Sequence, residues 1–138
     1  MIDMSGRDAV LDRISQFHGH LGPYVVVGYR MGLVGNRILG GDPFRKSAIV
    51  LTGAKTPRSC VVDGVQLSSG CTLGKGNIAV IDHGKVAAIF TSKQDDKVVR
   101  VSLRAEYDDR ITSTPTEAME ELAEELYSLT DEQLFEIS

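Results

Sequence analysis

The sequence predicts an α+β fold in which helices surround a mixed sheet. Three observations carry this. Apolar residues recur at helical spacing near both ends of the chain, in segments 6–16, 23–39 and 114–137. Short apolar runs of strand length fill the middle, at 47–51, 78–82, 86–91 and 98–104. The strands cluster instead of alternating strictly with helices, which favours α+β, or a mixed α/β sheet with helices around it.

The elements follow in order. Residues 6–16 place Val10, Leu11 and Ile14 on one stripe, as a helix would. Gly19 to Pro23 is a break. Pro23 suits the first turn of a second helix running to Leu39. Its β-branched opening, Tyr24-Val25-Val26-Val27, could be a strand, but the length of the segment favours a helix. Gly28 and Gly32 lie one turn apart and allow another backbone to approach. Ser47–Leu51 reads as a buried strand. Thr56 as cap and Pro57 at the first position start a helix that carries Cys60 to Leu67 and stops at Gly70. The glycine-rich loop Thr72–Asn77 follows. Strands Ile78–Asp82 and Val86–Thr91 are expected to pair across a His83-Gly84 turn. A third strand, Val98–Arg104, follows Lys93–Asp96 and alternates Val99, Val101 and Leu103 with polar residues. Thr114 with Glu117, and Thr130 with Gln133, read as capping boxes of two C-terminal helices. Met119, Leu122, Ala123 and Leu126 stripe the first. Leu134, Phe135 and Ile137 belong to the second.

The chain has 138 residues, a length suited to one domain spanning 1–138. Its net charge of −4 gives no basic footprint for nucleic acid. No apolar run is long enough to cross a membrane, and residues 1–10 do not resemble a secretory signal. Two cysteines without such a signal point to a reducing, cytoplasmic setting and a metal or thiol role.

Two of the three histidines, His18 and His20, flank Gly19 just before Gly22-Pro23. On a helix such a pair would point opposite ways; in a turn it can converge. Histidine is the commonest metal ligand, yet one of the pair could equally cap a helix while the other is solvated. Cys60 falls in the first turn of its predicted helix, with Lys55 and Arg58 near. There the dipole favours a thiolate and a depressed thiol pKa, suited to a nucleophile or ligand; a small core residue is the alternative. Asp63 shares its face. It could accept a proton, bind a metal, orient a histidine, or simply complement the helix dipole. If 60–70 is helical, Cys60 and Cys71 lie roughly 16 Å apart, beyond the ~7 Å that a disulfide tolerates. The cysteines therefore have separate jobs. Thr72, Gly74 and Lys75 lie in a loop that is either an anion-binding cofactor cradle or a tight helix-to-strand connection. Helix precedes and strand follows, so it is no P-loop. The cluster Glu106, Asp108 and Asp109 reads as surface.

Taken together, Phe17-His18-Gly19-His20-Leu21-Gly22-Pro23, Gly28-Tyr29-Arg30, Cys60-Val61-Val62-Asp63-Gly64-Val65-Gln66 and Gly70–Asn77 resemble the FmdE family of formylmethanofuran dehydrogenase proteins over roughly residues 10–110. The resemblance implies a thioredoxin-like core with a mixed five-stranded sheet, a homodimer, and association with molybdenum or tungsten formylmethanofuran dehydrogenase of methanogenesis. It implies an active site at His18, His20 and Cys60 that holds zinc or another divalent transition metal. Many relatives have cysteine where Gly22 stands, and many carry a C-terminal zinc finger; this chain has no cysteine after Cys71.

Three functions compete. The first is a metal site of His18, His20 and Cys60 with Asp63 behind it or accepting a proton. The second is a non-catalytic dimeric accessory protein of a larger oxidoreductase. The third is a metal-free thiol protein in which Cys60 pairs with a histidine.

Overall fold

The computed structural model describes residues 6–138. Its α+β architecture is a five-stranded mixed sheet with helices against it. Helix α1 (Arg7–His18) buries Val10, Leu11 and Ile14, the stripe that spacing predicts. It closes on Gly19 at φ 106°, whose N–H bonds the Ser15 carbonyl at 2.7 Å. Glycine adopts this left-handed backbone at little cost. Helix α2 (Pro23–Leu39) starts on Pro23 and buries most of its length. The valine run is helical because the core surrounds it, which overrides a weak intrinsic preference for strand.

Strand β1 (Lys46–Thr52) leads through a 3₁₀ turn (Arg58–Cys60) into α3 (Val61–Ser69). The predicted start of this helix is corrected: Thr56 makes no cap bond and α3 begins four residues later, with Cys60 as its N-cap residue. Helices α2 and α3 meet backbone to backbone. A Cβ added at Gly28 would lie 1.9 Å from the Val61 carbonyl oxygen, and one at Gly64 would lie 2.0 Å from that of Val25.

Strands β2 (Ile78–Asp82), β3 (Ala87–Ser92), β4 (Val98–Leu103) and β5 (Phe135–Ile137) complete the sheet, in the order β2-β1-β3-β4-β5. β1 pairs with β2 in parallel and with β3 antiparallel. The expected β2–β3 hairpin is therefore absent. β1, an apolar strand, gains a neighbour on each side, and His83 N–H continues the β1 ladder by bonding Thr52 O at 3.0 Å. In β4, Val99, Val101 and Leu103 are buried as predicted.

The C-terminal third departs further from expectation. Helix α4 (Ala105–Ser113) occupies a stretch read as surface, and Ile111 is buried beneath it. The Thr114 box is replaced by a 3₁₀ turn (Thr116–Ala118) that opens without a side-chain cap. Helix α5 (Met119–Ser128) buries Leu122, Ala123 and Leu126. The Thr130 capping box forms, but its helix α6 (Asp131–Leu134) lasts one turn. Phe135 to Ile137 instead form β5, since pairing with β4 satisfies more backbone than a frayed helix end would. Buried Arg30 donates to the Leu126 and Tyr127 carbonyls at 3.0 and 2.8 Å and pairs with Asp131 at 2.9 Å, locking α2 to the end of α5. No described helix is long and apolar enough to cross a membrane.

Candidate functional site

A cavity of about 550 Å³ opens where α1 ends, α2 and α3 begin, and α4 and α5 close over them. His18, His20 and Cys60 all line it. Gly19 makes this convergence possible: its positive φ ends the helix between the two histidines, and their rings stand 5.0 Å apart, tilted by 31°. His18 is held from behind, with Nδ1 2.7 Å from Asp63 Oδ2. A carboxylate only accepts, so Nδ1 carries the proton and Nε2 is left for a ligand. The His18 side chain is 10% exposed and that of Asp63 40%. His20 is exposed at the rim.

Cys60 does not have the depressed pKa that its place at a helix start predicts. Burial pushes the thiol up, and the Asp63 carboxylate pushes it further the same way. Desolvation of the thiolate and a like charge outweigh the helix dipole. Cys60 and Cys71 are both free. Cys71 is fully buried in the core and its N–H bonds Ser69 Oγ at 3.1 Å.

Two imidazoles on one tetrahedral ion, with metal–nitrogen bonds of about 2.0–2.1 Å, hold their ring centres about 5 Å apart. The His18 and His20 rings stand at that separation. Among the described residues, no three His, Cys, Asp or Glu side chains are grouped closely enough to hold an ion as they stand. Imidazole and thiol are donor types that zinc accepts.

The glycine loop stands apart from the cavity and its backbone N–H groups are largely spoken for. Thr72 N–H bonds Asn77 Oδ1 at 2.9 Å and Leu73 N–H bonds Gln66 Oε1 at 3.0 Å. Lys75 N–H bonds Thr72 Oγ1 at 3.3 Å, and Gly76 N–H bonds the Thr72 carbonyl at 3.1 Å. With Thr72, Gly74 and Lys75 so arranged, the segment connects a helix to a strand, and Gln66 and Asn77 brace it.

Three residues brace the cavity wall in a way that the sequence does not show. The Tyr24 hydroxyl donates to Asp108 Oδ1 at 2.5 Å, and Arg58 Nη2 donates to Asp108 Oδ2 at 2.7 Å. Asp108 is thus no surface acid: it ties α2 and the turn before Cys60 to α4. Burial and this bond push the Tyr24 pKa up to about 12, so the phenol keeps its proton. Contacts across 50 and 84 residues leave no local signature.

A family model described as FmdE, molybdenum formylmethanofuran dehydrogenase operon, matches residues 17–136. A protein of Archaeoglobus fulgidus described as a probable S-adenosyl-L-methionine-binding protein is 34% identical over 99 residues, 70% of this chain. The chain spans 27% of that relative's length. The crystal structure of a tungsten formylmethanofuran dehydrogenase FmdE-like protein from Syntrophus aciditrophicus matches with a TM-score of 0.72 and 25% identity, over 95% of this chain and 70% of that one.

Proposed function

The chain belongs to the FmdE family, and on that premise we propose that it is a metal-binding protein that works beside a formylmethanofuran dehydrogenase. Its site consists of His18, His20 and Cys60, with zinc or a similar divalent ion as the group held. The observation that carries this is the 2.7 Å bond from His18 to Asp63. It fixes the tautomer that ligates through Nε2, in the carboxylate–histidine arrangement common behind bound metals. When present, the ion would lower the pKa of a bound water or polarise a substrate oxygen. The rest is done by the chain. Asp63 holds the imidazole, and Cys60 would give up its proton on ligation.

The raised Cys60 pKa disfavours the metal-free thiol alternative. The accessory role is compatible with the metal site: the reading includes a cytoplasmic homodimer that meets the dehydrogenase through its surface. Exposed Ile49 and Ile81, which lie on the sheet's outward side, support a docking role.

The test is equilibrium dialysis of the chelator-free chain against zinc. The reading expects about one ion per chain, loss of binding in His18→Ala and Cys60→Ser, and retention in Cys71→Ser. Equal binding by all four proteins would remove the site.

A further inference from the structure

We propose that β2 is the surface through which two copies of this chain join, strand to strand about a two-fold axis at Val80, so that their five-stranded sheets become one continuous sheet. The inference rests on the homodimer reading above and says where that dimer forms.

The ladder leaves one side of β2 open. Toward β1, the Asn77 carbonyl accepts from Ala48 N–H at 2.9 Å, and His83 N–H donates to the Thr52 carbonyl at 3.0 Å. Odd-numbered residues of β2 therefore turn their N–H and C=O to β1, while Ile78, Val80 and Asp82 turn theirs outward. Among the described residues nothing bonds those outward groups. Free donors and acceptors along an edge strand are a template for another strand.

The usual guards of an edge are missing here. Ile78-Ala79-Val80-Ile81 holds no lysine and no proline. Its register against β1 runs unbroken from Ala48–Ile78 to Thr52–Asp82, without a bulge. The sheet's other edge, β5, is protected by its length of only three residues. The side chains of β2 also lack cover. Val80 lies beside Val50 in the register, yet Val50 is fully buried and Val80 is 51% exposed. The cover that the helices give β1 does not reach β2. On the opposite face Ile81 is exposed as well. A strand with bare apolar residues on both faces gains cover on both when another sheet continues it.

A second copy fits because the edge complements itself. An antiparallel pairing centred on Val80 sets it against the partner's Val80, Ile78 against the partner's Asp82, and Ala79 against the partner's Ile81. Ile78, Val80 and Asp82 then each exchange both bonds with the residue opposite. Any other register of the same parity leaves an end residue unpaired. No like charges face each other, since Asp82 meets isoleucine and Lys75 and Lys85 lie in turns beyond the strand ends. Five residues a side make a small interface, so the dissociation constant should be on the order of 10 μM.

The experiment is sedimentation of the full chain at concentrations on either side of that constant, with amide hydrogen exchange read by NMR at about 200 μM. The unaltered chain should dimerise. Val80→Lys, which sets two lysines together on the axis, should be monomeric while keeping a cooperative thermal melt. Val98→Lys, an equally exposed change on β4, should dimerise like the unaltered chain. The amides of Ile78 and Asp82 should exchange about five-fold more slowly in the unaltered chain than in Val80→Lys. Those of Ala79 and Ile81, turned to β1, should be protected in both. A dimer that survives Val80→Lys, with Ile78 and Asp82 exchanging equally fast in both proteins, overturns the β2 edge and leaves the homodimer reading standing. A monomer at about 200 μM overturns both and leaves β2 to a strand of some other protein.

Discussion

Replacing Gly28 with alanine tests how the fold holds the site. The new Cβ would lie 1.9 Å from the Val61 carbonyl oxygen, where real contacts stay beyond 3.0 Å. The obstacle is the backbone of α3, so no side chain can rotate away, and α2 and α3 must part by about 1 Å. Overpacking of this kind costs up to about 3 kcal/mol. Alanine's better helix propensity returns about 1 kcal/mol, leaving a loss of ~2 kcal/mol. For a domain of this size that lowers Tm by about 8 °C. The same shift carries Asp63, on α3, away from His18 and stretches their 2.7 Å bond. Gly41→Ala is the control: nothing lies within 4 Å of its Cβ, so Tm should hold or rise slightly. Thermal melts followed by circular dichroism, with a urea titration for the free energy, read the result. If Gly28→Ala melts with Gly41→Ala, the backbone contact does not set the α2–α3 spacing.

Further outcomes follow from the site. Asp63→Asn should weaken zinc binding about 10–100-fold, measured by competition with a chromophoric chelator; an unchanged affinity would detach Asp63 from the site. Cys60, its pKa raised by burial and Asp63, should alkylate more slowly at neutral pH than a free cysteine. The rate should climb as pH passes the ordinary thiol value of about 8.5, and a fast reaction at pH 7 would restore the thiolate reading. Gly22→Cys should tighten zinc binding by at least about ten-fold by adding a thiolate. Gly22 is extended at φ −118°, which cysteine adopts freely, and its Cβ would stand 3.2 Å from His20 Nε2. An unaltered affinity would place His20 outside the metal site.

Where local chemistry decides, the sequence is legible. The Val10, Leu11 and Ile14 stripe, Pro23 at a helix start and the alternation around Val101 all appear in the structure as their spacing predicts. Gly28 needs close approach of a backbone, and α3 supplies it. Where a remote partner decides, the sequence is silent. Nothing in Ile78–Asp82 says that β1 is its neighbour, and nothing in Phe135–Ile137 says that β4 will take it as a strand. The site divides in the same way. His18, His20, Cys60 and Asp63 can be picked out by residue type and spacing, and Gly19 and α3 bring them to one place. Asp108 cannot, because its value lies in partners 50 and 84 residues away. The thiol pKa of Cys60 departs from expectation for a related reason. A helix start is visible in a sequence, but the burial that outweighs its dipole is a property of the packed chain.

Cobalt substitution addresses the central claim most directly. Cobalt(II) binds in zinc-type donor sets and reports its ligands by colour. The account predicts that the chelator-free chain takes up about one cobalt ion with an intense near-ultraviolet thiolate-to-cobalt band. Cys60→Ser should lose that band, His18→Ala should lose the ion, and Cys71→Ser should keep both. A chain that binds no cobalt, or whose spectrum is unchanged by Cys60→Ser, would contradict it.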